Sequence, residues 1–236
     1  MKLEEILREG FAALELPLDE TALRRYRIYY EALTEKNKVM NLTAIHGEED
    51  SARLHFLDSA ALLRLAEMGG RRIIDVGTGA GFPGLALKIA QPDLELTLLD
   101  SLDKRVGFLR EVCAALGFED VQCLHARAEE APPALRQSYD LALSRAVARL
   151  NLLSELCLPF VKVGGRLIAM KGPGAAEELR EAEKGIRLLG GRVERMADYR
   201  IPGLEAERWA VLVEKVKDTP ARYPRRWAQM KKTPLG

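Results

Sequence analysis

The segment Asp75-Val76-Gly77-Thr78-Gly79-Ala80-Gly81-Phe82-Pro83-Gly84 spaces three glycines at alternate positions between a short apolar run and a helical stretch. Glycines so placed permit a tight turn and let a ligand lie against bare backbone. The dinucleotide fingerprint requires GxGxxG, and Phe82 stands where its last glycine would be. A pyrophosphate needs close approach to a helix N-terminus, which Phe82-Pro83 obstructs. S-adenosylmethionine is a nucleoside without phosphate and tolerates a bulky helix start. On this reading Asp75, Gly77, Gly79, Gly81 and Phe82 are cofactor-binding candidates. Leu85-Ala86 occupies the place of a Walker lysine, the serine-hydrolase elbow GxSxG is missing, and no PCxxC supports zinc deaminase chemistry.

Asp100 closes a second apolar run, Leu94-Glu95-Leu96-Thr97-Leu98-Leu99, and lies 25 residues after Asp75. A carboxylate there can accept both hydroxyls of a ribose. The same residue can also cap the helix that begins at Ser101, and Ser101 joins the cofactor set. Ala128-Glu129, after a third run, can offer a backbone N–H and a carboxylate to an adenine edge; outside this pattern Glu129 and Glu130 read as plain surface acids. Arg145 follows Asp140-Leu141-Ala142-Leu143-Ser144. Open α/β sheets bind ligands outside the carboxyl ends of their strands, which aims Arg145 into the reaction crevice as the catalytic candidate. An arginine at an apolar strand end needs a partner: an acid, the cofactor carboxylate or a phosphate. A salt bridge with no further role is the competing reading. Arg127 and Lys171 follow the third and fifth strands, project to the same edge and could together form a basic rim for a nucleic-acid backbone. His46 and His125 read as bystanders.

These residues must be positioned by alternating strands and helices. Residues 1 to about 70 read as helical. Leu3, Ile6, Leu7, Phe11 and Leu14 recur at helical spacing before Pro17, and Asp19 caps a helix carrying Leu23, Tyr26, Tyr30 and Leu33. A third helix carries Leu54, Leu57, Ala61, Leu62 and Leu65 and ends at Gly69-Gly70. Strands are expected at 73–76, 94–99, 121–124, 139–144 and 166–170, with helices such as 105–116 and 150–160 between them. Such alternation gives right-handed crossovers and a parallel sheet covered on both faces. Runs near 192–201 and 208–216 have no helix between them and pair as a hairpin around Pro202-Gly203. The expected fold is therefore α/β and Rossmann-like, a mostly parallel seven-stranded sheet with an antiparallel C-terminal hairpin strand, which is the layout of class I methyltransferases. The expected division is a helical extension (1–70), a methyltransferase core (71–217) and a basic tail (218–236).

The chain has 236 residues, 47% hydrophobic and 30% charged, enough to bury a full core. A net charge of +1 excludes a polybasic whole-chain binder. The charge is uneven, however: residues 214–236 hold seven bases and two acids, +5 against −4 for the remainder. A basic tail on a mildly acidic body points to a polyanion touched at one edge, or to solubility alone. Arg222, Arg225 and Arg226 are its RNA-binding candidates. No apolar run approaches the roughly 18 residues of a membrane span, and the start is no signal peptide. Three cysteines without CxxC spacing argue against disulfide or zinc frameworks. The expectation is a cytoplasmic, metal-free monomer.

Asn41-Leu42-Thr43-Ala44-Ile45, His55-Phe56-Leu57-Asp58-Ser59 and the glycine loop from Asp75 to Gly84 resemble successive signatures of the RsmG (GidB) family of bacterial methyltransferases. Leu98-Leu99-Asp100-Ser101-Leu102-Asp103-Lys104-Arg105, Ser144-Arg145-Ala146 and Arg222-Tyr223-Pro224-Arg225-Arg226 continue the resemblance in order along nearly the whole chain. It implies S-adenosylmethionine-dependent methylation of N7 of a guanine in the 530 loop of 16S ribosomal RNA, presented as naked RNA or within the small subunit. It further implies cofactor contacts at Gly77, Phe82, Ala128 and Glu129, with Asp100 near the ribose. Arg145 is implied at the cofactor or the target, and Arg127 and Lys171 at the RNA. Trp227-Ala228-Gln229-Met230 stands where the family's tail carries Gly-Thr-Pro. His55 is read as packing against the sheet and not as catalytic. Guanine N7 has an in-plane lone pair and no proton, so a general base is not required and positioning carries the catalysis. The competing readings are a class I methyltransferase with another acceptor, an NAD-binding domain, and a non-catalytic RNA-binding assembly factor.

Overall fold

The computed structural model describes residues 2–236. Its N-terminal part is helical. α1 (Leu3–Ala13) buries Leu3, Ile6, Leu7 and Phe11 on one face. α2 (Glu20–Met40) begins where Asp19 Oδ1 accepts from Ala22 N at 2.6 Å. It stops at Asn41, which takes the left-handed conformation. The third helical stretch departs from the regular helix expected. It runs through α3 (Glu48–Ser51), a π-helical turn (Ala52–Leu57), α4 (Asp58–Ala60) and a 3-10 turn (Ala61–Arg64). Such π turns recur at functional sites, and this one carries His55.

The α/β part follows as β1 (Arg72–Val76), α5 (Gly84–Ala90), β2 (Glu95–Asp100), α6 (Asp103–Ala115), β3 (Gln122–His125) and β4 (Tyr139–Arg145). It continues with α7 (Leu150–Cys157), β5 (Val161–Lys171), α8 (Ala175–Leu188), β6 (Gly191–Tyr199), β7 (Arg208–Lys215) and α9 (Trp227–Lys232). One seven-stranded sheet has the order β3-β2-β1-β4-β5-β7-β6. The first five strands pair in parallel, and β7 is antiparallel to both β5 and β6. This is the expected mostly parallel sheet with its antiparallel hairpin. The strand order reverses at β1 and β4, the switch point at which open sheets bind ligands.

Strand side chains alternate between two cores. Ile73, Leu141, Leu143, Ile168 and Leu212 pack with the helices from α1 to α6. Ile74, Ala142, Leu167, Ala169, Val211 and Val213 pack with α7, α8 and the C-terminal segment. Burial on both faces is why these strands read as continuous apolar runs. The helical extension is bonded to the glycine loop and the helix after it: Tyr29 Oη donates to Ala80 O at 2.6 Å and Tyr26 Oη to Ala86 O at 2.9 Å. The last residues are not a free arm, since Tyr223 and Met230 are buried and Leu235 packs against Gly185 of α8. Among the described residues no helix is long and apolar enough to cross a membrane.

Candidate active site

The glycine loop folds over the end of β2, with Gly77 N and Thr78 N both donating to Leu99 O at 2.8 and 3.1 Å. Gly77 has φ +71°, and a Cβ there would overlap Val147 Cγ2, so conformation and space both demand glycine. Asp75 is buried beneath the loop. Its Oδ2 accepts from Thr78 Oγ1 at 2.6 Å and Gly84 N at 2.8 Å, tying together the two ends of the turn. Its Oδ1 has no hydrogen-bond partner among the described residues. Burial pushes the carboxyl up to about 6, against the opposing bonds from Thr78 and Gly84. Asp100 is 3% exposed; Oδ2 accepts from Gly79 N and Oδ1 from Leu102 N, each at 2.9 Å. A carboxylate oxygen offers two lone pairs, so each retains one for a further donor, such as a ribose hydroxyl.

Beside Asp100 lies a cavity of about 170 Å³ that Gly77, Ser101, Ala128 and Glu129 also line, with Leu99, Leu156 and Trp227 as apolar walls. Its one lining cation among the described residues is Arg127, whose side chain is 56% exposed and stands 3.9 Å from Glu129. Acid and apolar walls without a buried cation suit an uncharged purine and its ribose, and suit phosphate poorly. The unpartnered Asp75 Oδ1 adds an acceptor beneath the loop. These residues fit a phosphate-free nucleoside cofactor.

The other glycine-loop residues expected at the cofactor stand around this slot rather than in its wall. Phe82 lines no part of this slot: it is drawn into the core, stacked on His55 (centroids 4.1 Å apart, 3° between planes) and on Tyr29 (5.1 Å, 13°). Gly81 faces Tyr29, where a Cβ would overlap its hydroxyl, and Asp75 braces the loop from below. Gly79 enters through its N–H on Asp100.

A second cavity, of about 610 Å³, opens at the ends of β4 and β5, and His55, Asp58, Arg145, Lys171, Tyr199 and Arg208 are among its walls. Arg145 lines this cavity and not the nucleoside slot. Its Nη1 donates to Asp58 Oδ2 at 2.8 Å and Leu54 O at 2.9 Å, and its Nη2 to His55 Nδ1 at 3.0 Å. The guanidinium sits 5.2 Å from the Phe82 ring centre. Arginine only donates, so His55 Nδ1 is the acceptor and its proton sits on Nε2, 2.9 Å from Thr43 Oγ1. Burial, and then the Arg145 charge, hold His55 down at about 3, so the ring is neutral. Asp58 Oδ1 accepts from Tyr199 Oη at 2.9 Å and lies 3.5 Å from Arg208 Nε. Burial, with Asp58 beside it, raises the Tyr199 phenol well above its ordinary value.

The expected basic rim is smaller than the sequence implied. Lys171 Nζ donates to Ala148 O at 2.7 Å and pairs with Glu178 at 2.8 Å, with its side chain 9% exposed. A buried amine neutralised by a carboxylate is no free cation for RNA. Arg225 is likewise consumed: Nε and Nη2 donate to the buried Glu155 at 2.8 and 2.6 Å. Arg127, Arg222 and Arg226 remain exposed. His55, Asp58, Tyr199, Arg208 and Trp227 were missed as wall residues. For His55 and Asp58 the available signals were their place in the His55 to Ser59 signature and their spacing, three apart along a helical stretch.

A family model described as rRNA small subunit methyltransferase G matches residues 22–204. A relative named ribosomal RNA small subunit methyltransferase G, from Alkaliphilus oremlandii (strain OhILAs), is 45% identical over 238 residues and 100% of both chains. Its namesake from Acetivibrio thermocellus is 42% identical over 237 residues, covering 100% of this chain and 98% of the relative. Among solved structures, TrmN from Thermus thermophilus aligns with a TM-score of 0.54 at 24% identity, over 68% of this chain and 48% of that one. M. jannaschii TYW2 in complex with AdoMet gives 0.52 at 13% identity, over 67% and 73%. At these identities the structural likeness is one of fold. The full-length relatives carry more: the chain belongs to the rRNA small subunit methyltransferase G family.

Proposed function

We propose that the protein transfers a methyl group from S-adenosylmethionine to N7 of a guanine in the 530 loop of 16S ribosomal RNA, acting in the cytoplasm as a monomer. The observation that carries this reading is a pair of cavities that meet at Val147. One is an acid-and-apolar slot on the glycine loop; the other is framed by arginine at the ends of β4 and β5. The ribosomal RNA named in the full-length relatives supports the acceptor class.

The backbone at Gly77, the Asp100 carboxylate, Ala128, Glu129 and Trp227 would hold the nucleoside. Bound S-adenosylmethionine supplies an electrophilic methyl on a sulfonium. Guanine N7 presents an in-plane lone pair with no proton to lose, so the protein's task is to position the base. Arg145 retains Nε–H and one Nη2–H without a partner among the described residues. These fit guanine O6, an acceptor that arginine commonly reads. Asp58, Leu54 and His55 hold the guanidinium still. Asp58 also cancels its charge, which matters because the purine ring becomes cationic as the methyl arrives, and an unpaired arginine beside it would oppose transfer. Arg127, Arg222 and Arg226 supply exposed charge for the RNA backbone.

The test is to incubate labelled S-adenosylmethionine with small subunits lacking native modification, and separately with their stripped RNA, and to map the labelled base. N7-methylguanine in the 530 loop is expected. No transfer to either acceptor, with S-adenosylhomocysteine binding intact, overturns the reading.

A further inference from the structure

The nucleoside slot and the larger cavity share one wall residue, Val147. It stands in the connection between β4 and α7, directly after Ala146, whose φ of +57° is a conformation that non-glycine residues adopt at a cost. The Val147 isopropyl group lies over the bare Gly77, at the place where a side chain on the loop would otherwise project. It is 36% exposed, so its position is not the result of deep burial.

This strained connection is held from its far side. Lys171, at the end of β5, donates to Ala148 O at 2.7 Å. The same ammonium pairs with Glu178 of α8 at 2.8 Å, and Glu178 Oε2 also accepts from Leu150 N at 2.8 Å. One carbonyl and one amide, one and three residues after Val147, are thereby fixed to β5 and α8. Both side chains are largely buried, at 9% and 20% exposure, so the ion pair is screened far less than a surface one.

We propose that Val147 is the partition between the donor slot and the acceptor cavity, and that Lys171, with Glu178, is a positioning residue that sets where this partition stands. The proposal rests on reading the two cavities as donor and acceptor sites. A methyl group passing between them crosses at Val147, the one wall residue that both cavities share. An apolar wall there excludes water from the sulfonium and fixes the width through which N7 approaches. Misplacement by about 1 Å in such a geometry costs on the order of a hundredfold in rate. Lys171 thus serves the reaction by holding the connection that carries Val147, its ammonium being engaged by Ala148 O and Glu178.

The experiment compares Val147→Ala, Lys171→Met and Lys171→Arg with the parent. Measured are kcat and KM for the RNA acceptor, the dissociation constant of S-adenosylhomocysteine, and the salt dependence of RNA binding. Lys171→Met should lower kcat by about ten- to a hundredfold while leaving KM for RNA and the salt slope unchanged. Lys171→Arg should recover part of kcat, since it restores a donor and a charge. Val147→Ala, at a 36% exposed site, should also lower kcat by about fivefold or more. An RNA-contacting lysine would instead raise KM, lower the salt slope by about 1 and spare kcat, which overturns the proposal. So would a Val147→Ala enzyme with kcat within twofold of the parent. A parent protein that binds S-adenosylhomocysteine but methylates no RNA would instead defeat the reading of the cavities on which the proposal stands.

Discussion

His55 offers the sharpest test of the side-chain network around the larger cavity. It is held neutral with Nδ1 on Arg145 and Nε2 on Thr43, and its pKa lies at about 3 against an ordinary 6.5. In the unfolded chain the imidazole takes up a proton as pH falls through 6.5, whereas in the folded chain it does not. Its folded pKa is depressed, so its contribution to stability is present above 6.5 and is lost progressively as pH falls toward 3. Between pH of about 7.5 and 5 the loss is about 2 kcal/mol, at 1.36 kcal/mol per pH unit over which only the unfolded chain is protonated.

Asp75 acts in the other direction. Its carboxyl is raised from 3.8 to about 6, so over the same interval the folded chain gains a proton that the unfolded chain does not, contributing about 1.4 kcal/mol toward pH 5. The parent should therefore change little between these pH values, because the two effects nearly cancel. Gln in place of His55 keeps one acceptor for Arg145 and one donor for Thr43 but cannot titrate. His55→Gln removes the histidine contribution, so on acidification the parent should lose about 2 kcal/mol relative to the variant. Urea unfolding of both proteins at several pH values between these limits measures the gap, with carboxylates common to both dropping out of the difference. Parallel curves would mean that His55 titrates in the folded protein, and the ring could not then be the fixed acceptor for Arg145. By the same geometry kcat should show no ionisation of His55 from pH of about 6 to 8.

Asp100→Asn keeps the acceptor for one loop N–H but halves the capacity for ribose hydroxyls; the dissociation constant of S-adenosylhomocysteine should rise about tenfold or more by calorimetry. Arg225→Met strands the buried Glu155 carboxylate, which then keeps only the Arg225 backbone N–H. Denaturant unfolding should show a loss of about 3–5 kcal/mol, whereas a change within 1 kcal/mol, accompanied by weakened RNA binding, would restore Arg225 to the RNA contacts.

The strands and the glycine loop were legible because their signals are local. Ile73 to Val76 and Leu141 to Leu143 are apolar on both sheet faces, and Asp100 ends its own strand. The network around Arg145 was not, because its partners arrive from elements 87 residues away at Asp58 and 90 at His55. The same holds for Tyr199, which reaches Asp58 across 141 residues. A basic residue announces its charge in the sequence but not its neutralisation. Lys171 and Arg225 read as RNA contacts until Glu178 and Glu155 are placed beside them. Glu155 was the better clue. An acid within the largely apolar run Leu150-Asn151-Leu152-Leu153-Ser154-Glu155-Leu156-Cys157 is costly unless a cation meets it, and the +5 tail was one source of such a cation.

The same long-range pairing decides how the helical extension relates to the chemistry. Leu54, His55 and Asp58, all before the sheet begins, supply every recorded hydrogen bond of the Arg145 guanidinium among the described residues. Phe82 from the glycine loop is clamped between Tyr29 and His55 of the extension. A Rossmann-like sheet by itself can build the nucleoside slot, since Gly77, Asp100, Ala128 and Glu129 all come from β1 onward. It cannot by itself fix Arg145. The larger cavity is therefore a product of the seam between extension and sheet, with the π turn and the start of α4 setting His55 and Asp58 at the seam. On the proposed reading, the donor side of the reaction is written into the strand ends, and the selection of the base into the contacts that the N-terminal helices make with them.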